Sequence, residues 1–566
     1  MNMESMRFSS PDGPWEVLGV YPDGEPRGMW KESLLLVLSE QTGEDAARKL
    51  MQEYDLERRV NTEKLLVVFP QCRSGRWTAG EGNTLSPDEK LVHALLMQAG
   101  GSPGGWGAGF DVHHLLGIDS GADVVCSLVA KQPSMGCAAS VCAIGGTKEL
   151  TGEGLSHAAV PAVLVDMPRS VVNYFCAANQ VDAQDSARRY CSQNPAQSVT
   201  AFTRSTFQPE RLWPDFCARV RRINSRAEGD VVARDYRLPD HAVIRENVVL
   251  GDGLSHDWIE VPPPSVRAGK PDLVPLILIS HGMGESPEKA CESFGMHLIG
   301  EREGFLTVYA FSSNHRGWNL NLYEDQPDDV AYYMALIAYL KEHYPIDSKR
   351  IYTTGFSNGA GMAMLFALMH PEVVAAACPV DSTFPYATMK FFNPARSAPY
   401  LTREDKTPQG DPIPSMDPDT ALRPLRRALE LQKEREHPLR LPVMYFYGSR
   451  ESEYPIRAGS NQEMNYRFWK EFNDIPQGKT DDTLGGTDAV GVPGMEIRIL
   501  HPYAAHPEHT FSDHVFFNDE GLDAYHLMLM HGKAHDVHPC ESQLGWDFVS
   551  RFSRESDGTL TVTEKV

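Results

Sequence analysis

Apolar positions along the chain fall into short, nearly continuous runs separated by stretches with helical spacing, and this alternation recurs from end to end. In the second half, "VPLILIS" leads into a Gly-rich turn and "FLTVYAF" follows a helical run. "DDVAYYMALIAYLKEHY" then places its apolar residues on helical periods. "RIYTTGFS" predicts a strand ending in a sharp turn, "NGAGMAMLFALMHP" a helix stopped by Pro371, and "LPVMYFYG" a further strand. Unbroken apolar strands alternating with helices predict an α/β fold whose sheet is mostly parallel and covered on both faces.

The first half carries the same pattern in the same order. "ESLLLVLSEQTG" corresponds to "VPLILISHGMG", and "EKLLVVFPQCRSGRW" to "GFLTVYAFSSNHRGW", which sets Trp77 opposite Trp318. Gly117 pairs with Gly355 and Pro133 with Pro371, both 238 residues apart, while Pro161 pairs with Pro442 at 281. Recurring landmarks at one offset indicate an internal duplication. The jump from 238 to 281 predicts 43 additional residues in the second copy between Pro371 and Pro442. Two domains are therefore expected, 1–225 and 226–566, the second with a cap-like insert around 381–440 above the strand ends. Residues from about 226 to 270 are expected to be the leading antiparallel strands of the second domain.

Composition narrows the functional classes. A chain of 566 residues exceeds what one core usually holds, and 42% hydrophobic content is that of a folded protein. The formal net charge of −23 disfavours nucleic acid and anionic membranes as partners. The polar start and the lack of a long apolar run predict a cytoplasmic protein with no membrane span. Ten scattered cysteines without CxxC pairs are expected to be free thiols.

The chemistry concentrates in "GFSNGAGMA". A Gly-x-Ser-x-Gly between a strand and a small-residue helix is a nucleophile elbow, with Ser357 at its apex, so the copies read as tandem α/β-hydrolase-like domains. The hydroxyl needs a base, and the base a carboxylate, in the chain order serine, acid, histidine. Glu451, three residues past Gly448, is the expected acid, with Glu453 as the alternative. In "HGKAHDVHP" His535 is the expected base and His538 the alternative, while His531 and His281 read as structural. Oxyanion donors are expected from the backbone N–H groups of Asn358 and Met283. Trp318, Asn319 and Asn321 are candidates for lining the acyl pocket. No cofactor or metal is expected; His501, His506, His509 and His514, with Glu508 and Asp513, read as surface or loop residues rather than ligands.

"SHGMGE", the long block from "DDVAYY" to "NGAGMA", "ALMHPEVVAAACPV" and "GKAHDVHP…GWDF" resemble the polyhydroxybutyrate depolymerase and feruloyl esterase-like group of α/β-hydrolases, over roughly 250 to 553. The resemblance implies Ser357 as nucleophile, His535 as base, and Met283 and Asn358 as oxyanion donors. That group usually offers an aspartate as acid, where this chain has Glu451 or Glu453. The implied activity is serine-dependent ester hydrolysis, on hydroxycinnamoyl, acetyl or 3-hydroxyalkanoate esters, small or polymeric. A serine peptidase and a noncatalytic scaffold are the alternatives; a homo-oligomer is possible.

In the first copy "GIDSGADVV" puts Asp119 where Ser357 stands. Aligning Pro209 with Pro539 sets Ser205 opposite His535 and Gln208 opposite His538. "SHGMGE" has become "SEQTGE". Nucleophile, base and oxyanion turn are all replaced, so this copy is expected to be inactive.

Overall fold

The apolar runs become the middle strands of two large sheets. The computed structural model describes residues 1–23, 33–99, 112–132, 138–151, 154–223, 229–234, 238–269, 272–315, 317–382, 384, 401–403, 418–451, 454, 456, 460–476 and 495–563. The chain divides into two compact units. Unit 1 comprises Met1–Asp235 with Phe392–Ile413, and unit 2 comprises Tyr236–Phe391 with Pro414–Val566. Thus part of the predicted insert, 392–413, groups with the first unit. Pro133, one of the landmarks, lies outside the described residues.

Unit 1 runs through β1 (Asn2–Ser10), β2 (Gly13–Tyr21), β3 (Ser33–Leu38), β4 (Leu65–Pro70), β5 (His113–Ile118), β6 (Ser140–Ile144), β7 (Ala162–Val165), β8 (Ala183–Asp185), β9 (Arg188–Tyr190) and β10 (Ser198–Phe202), then the hairpin β11 (Val220–Ile223) and β12 (Asp230–Ala233). Unit 2 runs through β13 (Val243–Val249), β14 (Ser255–Val261), β15 (Val274–Ser280), β16 (Leu306–Ala310), β17 (Ile346–Gly355) and β18 (Ala376–Ala377). β19 (Thr402–Arg403) belongs to the unit 1 segment, after which unit 2 resumes with β20 (Val443–Gly448), β21 (Glu496–Leu500), β22 (Phe511–Phe517) and β23 (Asp523–Met530). A short hairpin, β24 (Phe552–Arg554) and β25 (Leu560–Val562), closes the chain.

The sheet orders coincide strand for strand. Unit 1 reads β1-β2-β4-β3-β5-β6-β7-β10-β9-β8, and unit 2 reads β13-β14-β16-β15-β17-β18-β20-β23-β22-β21. In both, the middle strands pair in parallel and the outer ones antiparallel. The middle strands are apolar throughout because both faces are covered: every residue of β3 and of β15 is buried. β1 and β2 instead alternate, sending Met6, Phe8, Trp15 and Val17 inward. Each sheet therefore separates two apolar layers, one pair in unit 1 and one in unit 2. Unit 1 has one addition: β19 pairs antiparallel with β1, and Leu401 beside it is buried in the unit 1 core. No helix among the described residues is long and apolar enough to cross a membrane.

Candidate active site

β17 must turn into the helix Asn358–Met369 within two residues, Phe356 and Ser357. Ser357 takes φ 53° and ψ −116°, a left-handed conformation that costs a non-glycine residue about 1–3 kcal/mol. The neighbours leave no other route. A Cβ on Gly359 would lie 2.2 Å from the Ser280 carbonyl oxygen, and one on Gly355 would lie 2.4 Å from that of Gly359. The turn is held by the Ser357 N–H donating to Val380 O at 3.0 Å and the Phe356 N–H donating to Ser280 O at 3.2 Å. The helix behind it is buried from Asn358 to Leu368, which keeps the apex from relaxing.

Ser357 Oγ lies 2.9 Å from His535 Nε2, and His535 Nδ1 lies 2.7 Å from Glu451 Oε1. With its proton on Nδ1 donating to Glu451, the imidazole has Nε2 available to accept from the serine hydroxyl. Burial pulls the His535 pKa down, but the Glu451 charge and hydrogen bond, with the Asp381 charge behind them, outweigh it and raise the ring to about 9. The His535 side chain remains 45% exposed, whereas that of Glu451 is 6% exposed. The His535 ring is thus open to solvent while the Glu451 carboxylate bonded to it is shielded.

Two further residues tie this arrangement together. The Asp381 carboxylate, Glu451 and His535 each place an atom within 4.8 Å of one another. Asp381 Oδ2 accepts from Lys533 Nζ at 2.6 Å and from the Asp536 N–H at 3.2 Å, while Oδ1 accepts from the Gly448 N–H at 3.1 Å. One buried carboxylate therefore grips the turn around the base and the strand end that precedes the acid. Lys533 Nζ also pairs with Glu541 at 2.7 Å. Burial raises both acids, while the two carboxyls around the ammonium hold Lys533 above its ordinary value, so it stays charged. Sequence reasoning passed over both residues, although Asp381 closes "CPVD" at a strand end and Lys533 stands two places before the base.

The other expected positions sort as follows. His538 is buried, and its ring accepts from the Cys540 N–H in a capping box with Glu541 that starts the helix Pro539–Val549; it anchors that helix and does not meet Ser357. Glu453 lies outside the described residues. Asn358 opens its helix, so its N–H is a first-turn donor without an intrahelical acceptor. Met283 lies between β15 and the helix Pro287–Phe294, on the turn where Gly284 has φ 75°. His281 braces that turn: its ring bonds Gly282 O and the Ser312 N–H, and burial holds its pKa down to about 4. Trp318, Asn319 and Asn321 are buried. The Trp318 Nε1–H donates to His281 O at 2.9 Å and its N–H to Asn358 Oδ1 at 2.7 Å, so it is scaffold for the elbow. Two of the presumed surface histidines are internal, His509 at 1% and His514 at 0% exposure, because β22 carries His514 into the sheet.

Unit 1 keeps the elbow and changes its chemistry. Asp119 has φ 54° and ψ −119°, within a few degrees of Ser357. The Trp77 N–H donates to Ser120 Oγ and its Nε1–H to Ser39 O, both at 2.9 Å, as Trp318 does in unit 2. Where the base would stand, Arg204 Nη2 donates to Asp119 Oδ1 at 2.6 Å, and the Arg204 N–H to Asp166 Oδ2 at 3.1 Å. The alignment on proline set Ser205 opposite His535; the residue that meets the apex is its neighbour Arg204, because the two loops differ in length. The apex carboxylate is neutralised by a guanidinium, which cannot act as a base at neutral pH.

Comparison with known proteins finds similarity in the second half of the chain. The family model described as Esterase PHB depolymerase matches residues 261–396. A poly(3-hydroxyalkanoate) depolymerase C from Paucimonas lemoignei is 28% identical over 122 residues, 20% of this chain and 29% of that protein. A putative esterase, NocK, from Nocardia uniformis subsp. tsuyamanensis is 28% identical over 147 residues, 25% of this chain and 41% of that protein. The chain thus spans less than half the length of these curated relatives. Among solved structures, an acetyl xylan esterase from Aspergillus awamori superposes with TM-score 0.36 at 12% identity, over 55% of this chain and 98% of that one. The similarity to the polyhydroxybutyrate depolymerase esterases thus lies in the C-terminal half of the chain, over residues 261–396.

Proposed function

We propose that the protein is a serine-dependent carboxylic ester hydrolase that works through an acyl-enzyme. The observation that carries this reading is the unbroken chain of hydrogen bonds from Ser357 through His535 to Glu451 at a strained elbow. His535 Nε2 takes the Ser357 proton as Oγ attacks the ester carbonyl. Glu451 holds the imidazole in the required tautomer and stabilises the imidazolium that results. The N–H groups of Asn358 and Met283 receive the oxyanion. His535 then protonates the departing alcohol, and water repeats the sequence to release the acid and regenerate Ser357.

In this reading 226–566 is the catalytic domain and 1–225 an inactive duplicate; of the insert around 381–440, expected as a cap, residues 385–400 and 404–417 lie outside the described residues. A hydroxycinnamoyl, acetyl or 3-hydroxyalkanoate ester is the substrate class, the last favoured by the depolymerase relative. The nine cysteines recorded among the described residues are free thiols, which suits a reducing compartment and supports a cytoplasmic setting. The test is hydrolysis of acetyl, butyryl, feruloyl and 3-hydroxybutyryl esters by the parent chain beside Ser357→Ala. Turnover is expected in the parent alone, with kcat falling roughly a millionfold in the variant. Equal turnover in both would overturn the reading.

A further inference from the structure

The duplicated copies end differently, and the difference opens a cavity in unit 1. In unit 2 the last strand is followed by the helix Pro539–Val549, which buries Trp546, Phe548 and Val549 on one sheet face. There Phe548 meets His526 of β23 edge-on, ring centroids 4.8 Å apart, and His526 is paired with Met444 of β20. The counterparts in unit 1 are Thr200 of β10 and Val163 of β7, paired in the same register. The helix that should cover them has shrunk to the four residues Leu212–Asp215 between two short 3-10 turns. Thr200 and Val163 consequently line a cavity of about 590 Å³, within the usual range for small-molecule sites.

Its floor follows from strand register. Ser198, Thr200 and Phe202 alternate onto one face of β10, and Arg188 of β9 is paired with Thr200 on that face. Its walls are apolar, with Phe207, Leu212, Phe216 and Val220, all in unit 1. In a chain of net charge −23, three arginines line this cavity, Arg188, Arg211 and Arg219, against one carboxylate, Asp215. Arg211 is committed to Asp215 at 2.6 Å. Among the described residues the Arg219 side chain has only the Pro214 carbonyl, at 3.2 Å from Nε, while Arg188 donates from Nη2 to the Pro195 carbonyl, stacks over the Tyr190 ring at 4.9 Å and has its nearest carboxylate 3.8 Å away on Asp185, which leaves each guanidinium donors to spare. Two guanidiniums with spare donors over an apolar floor match an anionic head on an apolar body.

We propose that this cavity binds a carboxylate carried on an aromatic or short aliphatic body. The choice of carboxylate over other anions rests on the ester-hydrolase reading, because such acids are what that reaction releases.

The test is isothermal titration of ferulate, methyl ferulate and inorganic phosphate into the full chain carrying Ser357→Ala, with and without the added pair Arg188→Gln and Arg219→Gln. Ferulate should bind, and loss of the two guanidiniums should weaken it about tenfold or more. Thr200→Phe, which fills the floor, should abolish the same binding while the thermal midpoint holds. Methyl ferulate, which keeps the body and lacks the charge, should bind more weakly than ferulate and be indifferent to Arg188→Gln and Arg219→Gln. No ferulate binding at millimolar concentration, affinity unchanged in these variants, or displacement by equimolar phosphate would each overturn the proposal. The titration needs no turnover, so an inactive parent chain would sink the hydrolase reading without deciding this one.

Discussion

At the scale of single residues, the base sets the pH behaviour. A histidine raised to about 9 is protonated at neutral pH, and only its neutral form can take the serine proton. The kcat/KM of the parent should therefore climb with pH and reach half its plateau near 9, well above an ordinary imidazole limb at about 6.5. Glu451→Gln should move that limb down and cut kcat by about three to four orders of magnitude, since the charge and the tautomer lock go together. The stability linkage has the same origin. A folded-state value above the unfolded one stabilises the fold fully below about pH 6.5, and that contribution fades as pH rises through about 9. Asp381→Asn should also lower the limb, because it removes a negative charge near His535 and leaves the Lys533 charge behind. Breaking that buried pair should cost about 3–5 kcal/mol in a denaturant melt, and Lys533→Met should cost at least as much, because it leaves both Asp381 and Glu541 buried without a counter-charge. That Ser357, Glu451 and His535 would meet was legible because each follows a recognisable strand end. Asp381 and Lys533 could not, since what marks them is full burial beside each other, and the chain separates them by 152 positions.

At the scale of elements, the strand-turn-helix is what survived duplication. Gly121 in unit 1 faces the same obstacle as Gly359, its Cβ position lying 2.3 Å from the Leu38 carbonyl oxygen. Gly121→Ala should thus destabilise the chain as Gly359→Ala should, by about 1–3 kcal/mol, although the apex beside it carries Asp119 in place of a serine. Thermal midpoints of the two variants check this. The long buried strands and the elbow were legible because unbroken apolar runs leave little choice of layer. The outer strands β8, β9 and β21 were not, because they are short, with β8 and β21 mostly exposed and β9 half-buried, and so carry no apolar run to find. The closing stretch of unit 1, "RLWPDFCARVRR", has helical spacing, but Pro214 removes a donor and the chain divides into the four-residue helix Leu212–Asp215, a 3-10 turn and β11.

At the scale of the whole molecule, the chain passes between the two units three times, at 235/236, 391/392 and 413/414. A fragment beginning at Tyr236 would carry Leu401, buried at 1% in the unit 1 core, without the strand it packs beside. Such a fragment should be less soluble than the full chain and bind a dye for exposed apolar surface, and co-expression of Met1–Asp235 should suppress both effects. The pairing of β19 with β1 also orders events in time. As the protein emerges from the ribosome, β1 is made first and its partner roughly 170 residues after the rest of unit 1, a wait on the order of ten seconds or more. During synthesis the newborn first unit therefore carries an open strand edge that only the second half of its own message can close.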